Sequence, residues 1–429
     1  MNSSILRLAI PNIVSNISIP LVSAVDTVLM GHLSTLHLAA LGIVSMVFLF
    51  LYGTMNFLRS GTTGMAAQAF GVKDKRGVSF TLYRALLVAG ILSFTLLLLK
   101  EPIKEVSFYL LNIDKTLWKY ASIYYDIRIA TAPAVFMLYA IIGWFFGLQN
   151  AYFPLLITVI VNISNIILSY FFVAVFHWGI EGAAYGTLIA QYIGIVSAFL
   201  LLLRYKAFFI TPKIATLLQK EAILRFFQVN RDIFIRTLLL TFAFAYFNAQ
   251  AAKEGPDILA LMVLLLQFVI WFSYFIDGFA NAAESLIGRY YGSKDWKKFY
   301  KVLQLLFLWA FGFTLLFTFL YIFFTEEFAA LYTNQKSLID AVSSYKVSLA
   351  LMPLLSFAAF IWDGVFIGMT ATRAMRNSVT VATTLFIFIY SFANEHFAAN
   401  ALWLSFLGFF LFRGILQSYY FYRYKEHLK

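Results

Sequence analysis

The chain contains no cysteine, and only 12% of its 429 residues are charged. The first absence removes disulfides, thiolate metal sites and cysteine nucleophiles together. The second excludes an ordinary soluble domain, which carries about twice that share of charge. Histidine is nearly as scarce. His32, His37, His177 and His396 fall in expected outer loops and His427 in the tail, so no expected span carries an imidazole for acid–base work. His32 and His37, five apart, form at best a weak metal pair, and neither a catalytic group nor a bound metal or cofactor is expected. A Gly-x-x-x-x-Gly-Lys-Ser/Thr loop is missing as well, which argues against ATP as the energy source. Nor is there a removable leader: the apolar stretch from Ile5 to about Met30 is too long for one and carries Pro11, Pro20 and Asp26, so it is expected to be the first membrane helix.

What the chain has instead is apolar length. Hydrophobic side chains make up 62% of it and aromatics 19%, with 48 phenylalanines. Runs of about 20 apolar residues, the length that crosses a bilayer as a helix, recur throughout. They place spans at 6–30, 39–69, 78–99, 117–147, 151–175, 180–204, 224–252, 257–290, 298–323, 338–369, 377–394 and 399–422. Two of these stretches match each other. Tyr52-Gly53-Thr54-Met55-Asn56 runs on to Gly71-Val72-Lys73-Asp74, and Phe272-Ser273-Tyr274-Phe275-Ile276-Asp277 runs on to Gly292-Ser293-Lys294-Asp295, 221 positions later. Gly147 and Gly368 repeat that offset, and Pro133 and Pro353 come within one of it. A constant offset means that the chain was built twice. With an even number of spans per half, the expected fold is an all-α integral membrane protein of twelve transmembrane helices, as two six-helix lobes related by a pseudo-two-fold axis along the membrane normal. The expected domains are an N-lobe over 1–204, a cytoplasmic linker over 205–222 and a C-lobe over 223–429.

The net charge of +12 points to membrane orientation rather than nucleic acid. Lys73, Lys75, Arg76, Lys206, Lys294, Lys297, Arg373 and Arg423 gather on one side, whereas lysines on the other are mixed with acids. The first side is therefore expected to be cytoplasmic, with both termini there. The expected partner on these grounds is the lipid bilayer, and the expected assembly is a monomer.

An ionisable group at mid-bilayer costs about 2.5–3.5 kcal/mol and needs a partner, a cavity or a function. Asn12, Asn16, Ser23 and Asp26 lie along one face of the first span. Asn162, Asn165 and Ser169 share a face of the fifth, and Thr187 lies in the sixth. These are neutral oxygens of the kind an alkali cation or a relayed proton uses, and equally of the kind that bonds helix to helix. Asp277, Asn281 and Glu284 line one face of the eighth span, and Asp363 lies in the tenth. Asp232 and Arg236, four apart, suggest an intrahelical pair, and Arg59 needs an acid from another helix. On that count Asp277, Glu284 and Asp363 exceed the available cations, which would leave one of them protonated.

In order and spacing, Val25-Asp26-Thr27 with Met30-Gly31, Thr62-Thr63-Gly64-Met65-Ala66-Ala67-Gln68, Gly182-Ala183-Ala184, and Asp277-Gly278-Phe279-Ala280 with Ala283-Glu284 resemble the multidrug and toxic compound extrusion (MATE) family. Asp363-Gly364-Val365-Phe366-Ile367-Gly368 followed by Met375-Arg376-Asn377-Ser378 resembles its DinF-like branch. The resemblance implies a secondary antiporter that expels cationic, amphipathic compounds in exchange for protons or sodium, in a bacterial-type inner membrane. It also implies Asp26 as the coupling acid, surrounded by Asn165, Ser169 and Thr187. Asp277, Glu284 and Asp363 would then form an acidic set in the second half, with Arg59 and Arg236 as counter-charges. Many relatives have an acid where this chain has Ser169, and its loss favours protons over sodium. The alternatives are a lipid or lipid-linked oligosaccharide flippase, which would want a more cationic cavity, and an acyltransferase-type membrane enzyme, which would want a histidine at depth.

Overall fold

The computed structural model describes the backbone of residues 1–211, 214–217 and 219–426, and the side chains of these except residues 19, 214, 215, 394–399 and 426. His427 and the side chain of His396, which entered the histidine argument, lie outside the described residues. The described chain is almost wholly helical and includes no strand: α1 (Asn2–Gly31), α2 (Thr35–Thr54), α3 (Phe57–Gly71), α4 (Lys75–Leu98), α5 (Lys100–Leu110), α6 (Lys115–Arg128), α7 (Ala132–Gly147), α8 (Tyr152–Tyr170), α9 (Gly179–Leu202), α10 (Ile214–Leu217), α11 (Lys220–Lys253), α12 (Pro256–Gly292), α13 (Trp296–Phe323), α14 (Thr325–Ala330), α15 (Lys336–Ser344), α16 (Lys346–Gly368) and α17 (Thr372–Glu426).

Eleven described helical stretches are long and apolar enough to cross a membrane, and each coincides with an expected span. The remaining span, 377–394, lies within α17, whose 55 residues cannot be straight. The rings of Phe386 and Phe406 are 5.6 Å apart, where twenty residues of straight helix would separate them by about 30 Å. The segment therefore doubles back on itself.

The 221-residue repeat extends to single atoms. Lys73 and Lys294, in the paired turns, both have left-handed backbone (φ 58° and 55°), and so do Gln149 and Thr370 (62° and 54°). A Cβ added at Gly143 would run into the backbone of Arg59, and one at Gly364 into the backbone of Ala280; Gly147 meets Thr63 O and Ala67 N, and Gly368 meets Glu284 O and Gly288 N. Each pair differs by 221. The same close helix crossing, α3 with α7 in one half and α12 with α16 in the other, is built twice. Glycine at the contact lets the backbones approach, as small residues do in membrane helices generally.

By contacts the chain divides into two compact units, Val14–Phe227 and Gln228–Lys429, the second joined by Met1–Ile13. The first dozen residues go with the second unit because Gly278 of α12 leaves room for Ala9 and Ile13 of α1, and Asn281 donates to Asn12 Oδ1 at 3.2 Å. The polar stripe expected along α1 is therefore shared between units, and it is interrupted, since Ser23 is exposed.

Two segments read as loops carry structure. The described part of the linker is fastened to the first unit. Phe209 stacks on Trp144 at 6.0 Å, the amide of Ile210 donates to Ser79 Oγ, and Arg84 donates to the carbonyls of Leu217 and Thr216. On the opposite side α5 is a short amphipathic helix. Val106, Tyr109 and Leu110 are exposed, while Lys104 is buried and donates to Asp126 at 3.0 Å and to Glu101 at 2.7 Å. Burial works against the Lys104 ammonium, but the hydrogen bonds to Glu101 and Asp126 outweigh it and its pKa is raised. Replacing Lys104 with Met leaves two acids that water still reaches, so the expected loss is about 1–2 kcal/mol, read as a lower thermal midpoint in detergent with substrate binding unchanged.

Candidate functional site

In the first unit, small polar side chains set the register of α1 on α8. Ser15 Oγ donates to Thr158 Oγ1 at 3.1 Å, and Asn162 Nδ2 donates to Ser18 Oγ at 2.9 Å. Both pairs lie 143 or 144 residues apart, so the two helices run parallel, and the same step carries Asp26 to Ser169. Asp26 is indeed buried, close to the Ser169 hydroxyl and within electrostatic reach of Arg128 on α6, although the Ser169 hydroxyl makes no well-formed hydrogen bond. Asn165, one turn before Ser169, donates to Thr187 Oγ1 of α9 at 2.8 Å, and Thr187 in turn donates to Ala183 O. Gly186 permits this approach, because a Cβ there would lie 2.7 Å from Ser169 N and Oγ. The chain just past Ser169, Phe171–Val175, is wound as a π-turn, a feature common next to functional groups.

The structure thus brings Asp26, Asn165, Ser169 and Thr187 together. Three oxygens there are buried without a protein partner: Asp26 Oδ1, Asn165 Oδ1 and Ser169 Oγ. A buried oxygen left in this way costs free energy, and three converging from two helices make an acceptor site for a proton or a small cation.

Arg128, which the sequence reading passed over, completes this neighbourhood. It donates to Tyr124 OH at 2.8 Å and lies 5.4 Å from the ring centroid of Phe48. An arginine in mid-span four residues after a tyrosine was the available signal. Arg59 donates to Asn56 Oδ1 at 3.2 Å and Ser60 Oγ at 3.0 Å, with the Phe146 ring of α7 5.8 Å from its guanidinium carbon.

In the second unit the charges pair differently from the sequence expectation. Asp232 is not paired with Arg236: it accepts from Arg376 at 2.7 Å, from Arg231 at 3.3 Å and from Thr372 at 3.3 Å. Arg236 instead reaches Asp363 on α16. Asp363 Oδ2 also accepts from Arg413 at 2.5 Å and its Oδ1 from Gln417 at 2.6 Å, both on α17. The count of cations was short because Arg413, 1% exposed, had been overlooked in the middle of the last span. Of the other acids, Glu284 is buried and Asp277 half-buried on α12. Among the described residues no group of three His, Cys, Asp or Glu side chains is arranged to hold a metal. His37, the weak candidate, hydrogen-bonds Ser34 and lies 4.4 Å from the Tyr120 ring.

The family model described as MatE matches the chain twice, over residues 11–171 and 233–393, the two copies of the repeat. The chain is 31% identical to DNA damage-inducible protein F of Escherichia coli (strain K12) over 95% of its own length and 89% of that protein's. It is 26% identical to Protein DETOXIFICATION 44, chloroplastic, of Arabidopsis thaliana, covering 96% of this chain and 80% of the other. Among solved structures it superposes, with a TM-score of 0.89 at 20% identity, on the outward-facing conformation of a multidrug resistance MATE family transporter of the MOP superfamily, over 100% of this chain and 96% of that one.

Proposed function

The chain belongs to the MatE family of efflux transporters, and on that premise we propose that it is a secondary antiporter exporting amphipathic organic cations in exchange for protons by alternating access. It would work in a bacterial inner membrane with both termini in the cytoplasm. The observation that carries the coupling is the set of buried, partnerless oxygens around Asp26. A carboxylate that shares its surroundings with neutral Asn165, Ser169 and Thr187 can gain or lose one proton with no other protein acid taking part. Two features favour a proton over sodium. The set holds a single formal negative charge, because Ser169 supplies no second carboxylate. The Arg128 guanidinium is already within electrostatic reach of that charge and repels a second fixed cation, while leaving a proton, which bonds covalently, free to come and go. Asp277 and Glu284 are the corresponding exchangeable acids proposed for the second unit.

The energetics set the test. Exchange of one monocation for one proton moves no net charge, so a pH step drives only about tenfold accumulation per unit, about 1.4 kcal/mol; each further proton adds that amount again and couples transport to voltage. In liposomes holding the purified protein, an imposed pH gradient alone is expected to drive ethidium or norfloxacin movement, and a sodium gradient at equal pH to drive none. The opposite pattern would reassign the coupling ion, and no movement under either gradient would remove the antiporter reading.

A further inference from the structure

In the second unit we infer that Asp363 is a permanently ionised counter-ion, locked by Arg413, Arg236 and Gln417, and not a proton carrier. The inference refines the proton-coupled reading above and assigns Arg413 and Gln417 as positioning residues. The donors decide it. Asp363 is 5% exposed and Arg413 1%, and the carboxylate accepts from two guanidiniums on one oxygen and from an amide on the other. A guanidinium does not give up its proton in a protein and has no acceptor to offer. A proton on Asp363 would therefore face two guanidiniums that can only donate, and Gln417 could accept it only by turning its amide. That proton would also strand the buried guanidinium of Arg413 and the half-buried one of Arg236, whose Nε atoms already lack protein partners. Breaking a buried pair from one side costs far more than the pair contributes.

Charge accounting points the same way. The ionised trio of Asp363, Arg236 and Arg413 leaves one positive charge, and a protonated Asp363 would leave two. Of the helices packed against α16, α12 carries Asp277, within electrostatic reach of Arg413, and Glu284, beside the Gly368 crossing, while α15 carries Lys336 and Asp340 and α17 begins with Arg373 and Arg376. Of the remaining neighbours, α11 supplies Arg236, and α13 keeps Lys297, Lys298 and Lys301 in its first six residues. Arg413 is thus bonded to Asp363 and within electrostatic reach of Asp277. Proton exchange in this unit then falls to the α12 carboxylates, and Arg413 serves to hold Asp363 ionised. Gln417, one turn after Arg413, donates to the second oxygen of Asp363.

The test is the pair Asp363→Asn and Asp363→Asn/Arg413→Gln. The single variant carries two unopposed guanidiniums and is expected to lose most of its monodisperse fraction in detergent. The double variant restores the original net charge with no acid at position 363, and is expected to recover folding and at least half of the pH-gradient-driven transport. Infrared pH-difference spectra of the wild type, with aspartate isotope-labelled, are expected to show no protonated-carboxyl band that Asp363→Asn/Arg413→Gln removes. A well-folded double variant that binds ethidium but no longer responds to a pH gradient, or a carboxyl band assigned to Asp363, overturns the inference. Because folding and the infrared band are read without transport, they judge the lock even if the coupling ion proves not to be a proton.

Discussion

Asp26→Asn is expected to abolish pH-gradient-driven transport, down to the level of protein-free liposomes, while leaving folding and ethidium binding intact. The substitution keeps the size of the side chain and can still accept or donate a hydrogen bond beside Ser169; what it removes is the exchangeable proton. It should not destabilise the protein. The carboxylate is 6% exposed within a span, and burying a charge costs more than burying a neutral amide, so the amide is accommodated at least as easily. An unchanged thermal midpoint together with lost transport separates chemistry from folding, which a destabilising core mutation cannot do. Substrate-for-substrate counterflow, which needs no net proton movement, is expected to persist. If the pH-driven rate survives in Asp26→Asn, Asp26 and its partnerless oxygens have no part in coupling.

The frame of this protein was legible from spacing alone because a bilayer leaves few options. A backbone without water must bond within its own helix, so apolar length locates the spans, and a duplicated chain shows its offset in turns such as Gly71–Asp74 and Gly292–Asp295. Side-chain partners were less legible because the repeat does not extend to them. Moving Asp26 forward by 221 gives Phe247; moving Asp277, Glu284 and Asp363 back gives Asn56, Thr63 and Ile142. The glycine crossings are symmetric and the chemistry is not, so no charge could be inferred from its counterpart. Asp232 and Arg236 show the other limit. Spacing by four allows an intrahelical pair worth a few tenths of a kcal/mol, but burial of Asp363 near two arginines outweighs so small a preference, and Arg236 turns to α16 while Asp232 takes Arg376. Spacing put Asn165 and Ser169 one turn apart on one helix, but their grouping with Asp26 and Thr187 came from the resemblance to the MATE family. Arg128 and Arg413 were missed because each meets its acid only through a helix that the sequence could not place beside it.

The symmetric part of the molecule makes the second large prediction. Gly364→Ala and its counterpart Gly143→Ala should each destabilise the protein by about 1–3 kcal/mol, since the new Cβ meets backbone atoms that have no rotamer to escape into. At Gly364 it would lie 2.8 Å from Ala280 C and 3.0 Å from Ala280 Cα; at Gly143, 2.9 Å and 3.0 Å from the same atoms of Arg59. Gly312, on α13, is the control, as nothing lies within 4 Å of a Cβ there. Gly312→Ala should stabilise by about 0.5–1 kcal/mol through helix propensity alone. Thermal unfolding in detergent should therefore lower the midpoint for the first two and leave it level or raise it for the third. The two damaging variants should differ in function. Position 364 adjoins Asp363, so forcing α16 from α12 draws the carboxylate off Arg236 and Arg413, and Gly364→Ala should lose transport beyond what its lower folded fraction explains. Gly143→Ala strains the α3 crossing and leaves Asp26 on α1 untouched, so its activity per folded molecule should hold. Equal losses per folded molecule in both would mean that the Asp363 cluster adds nothing to transport beyond holding its helices together.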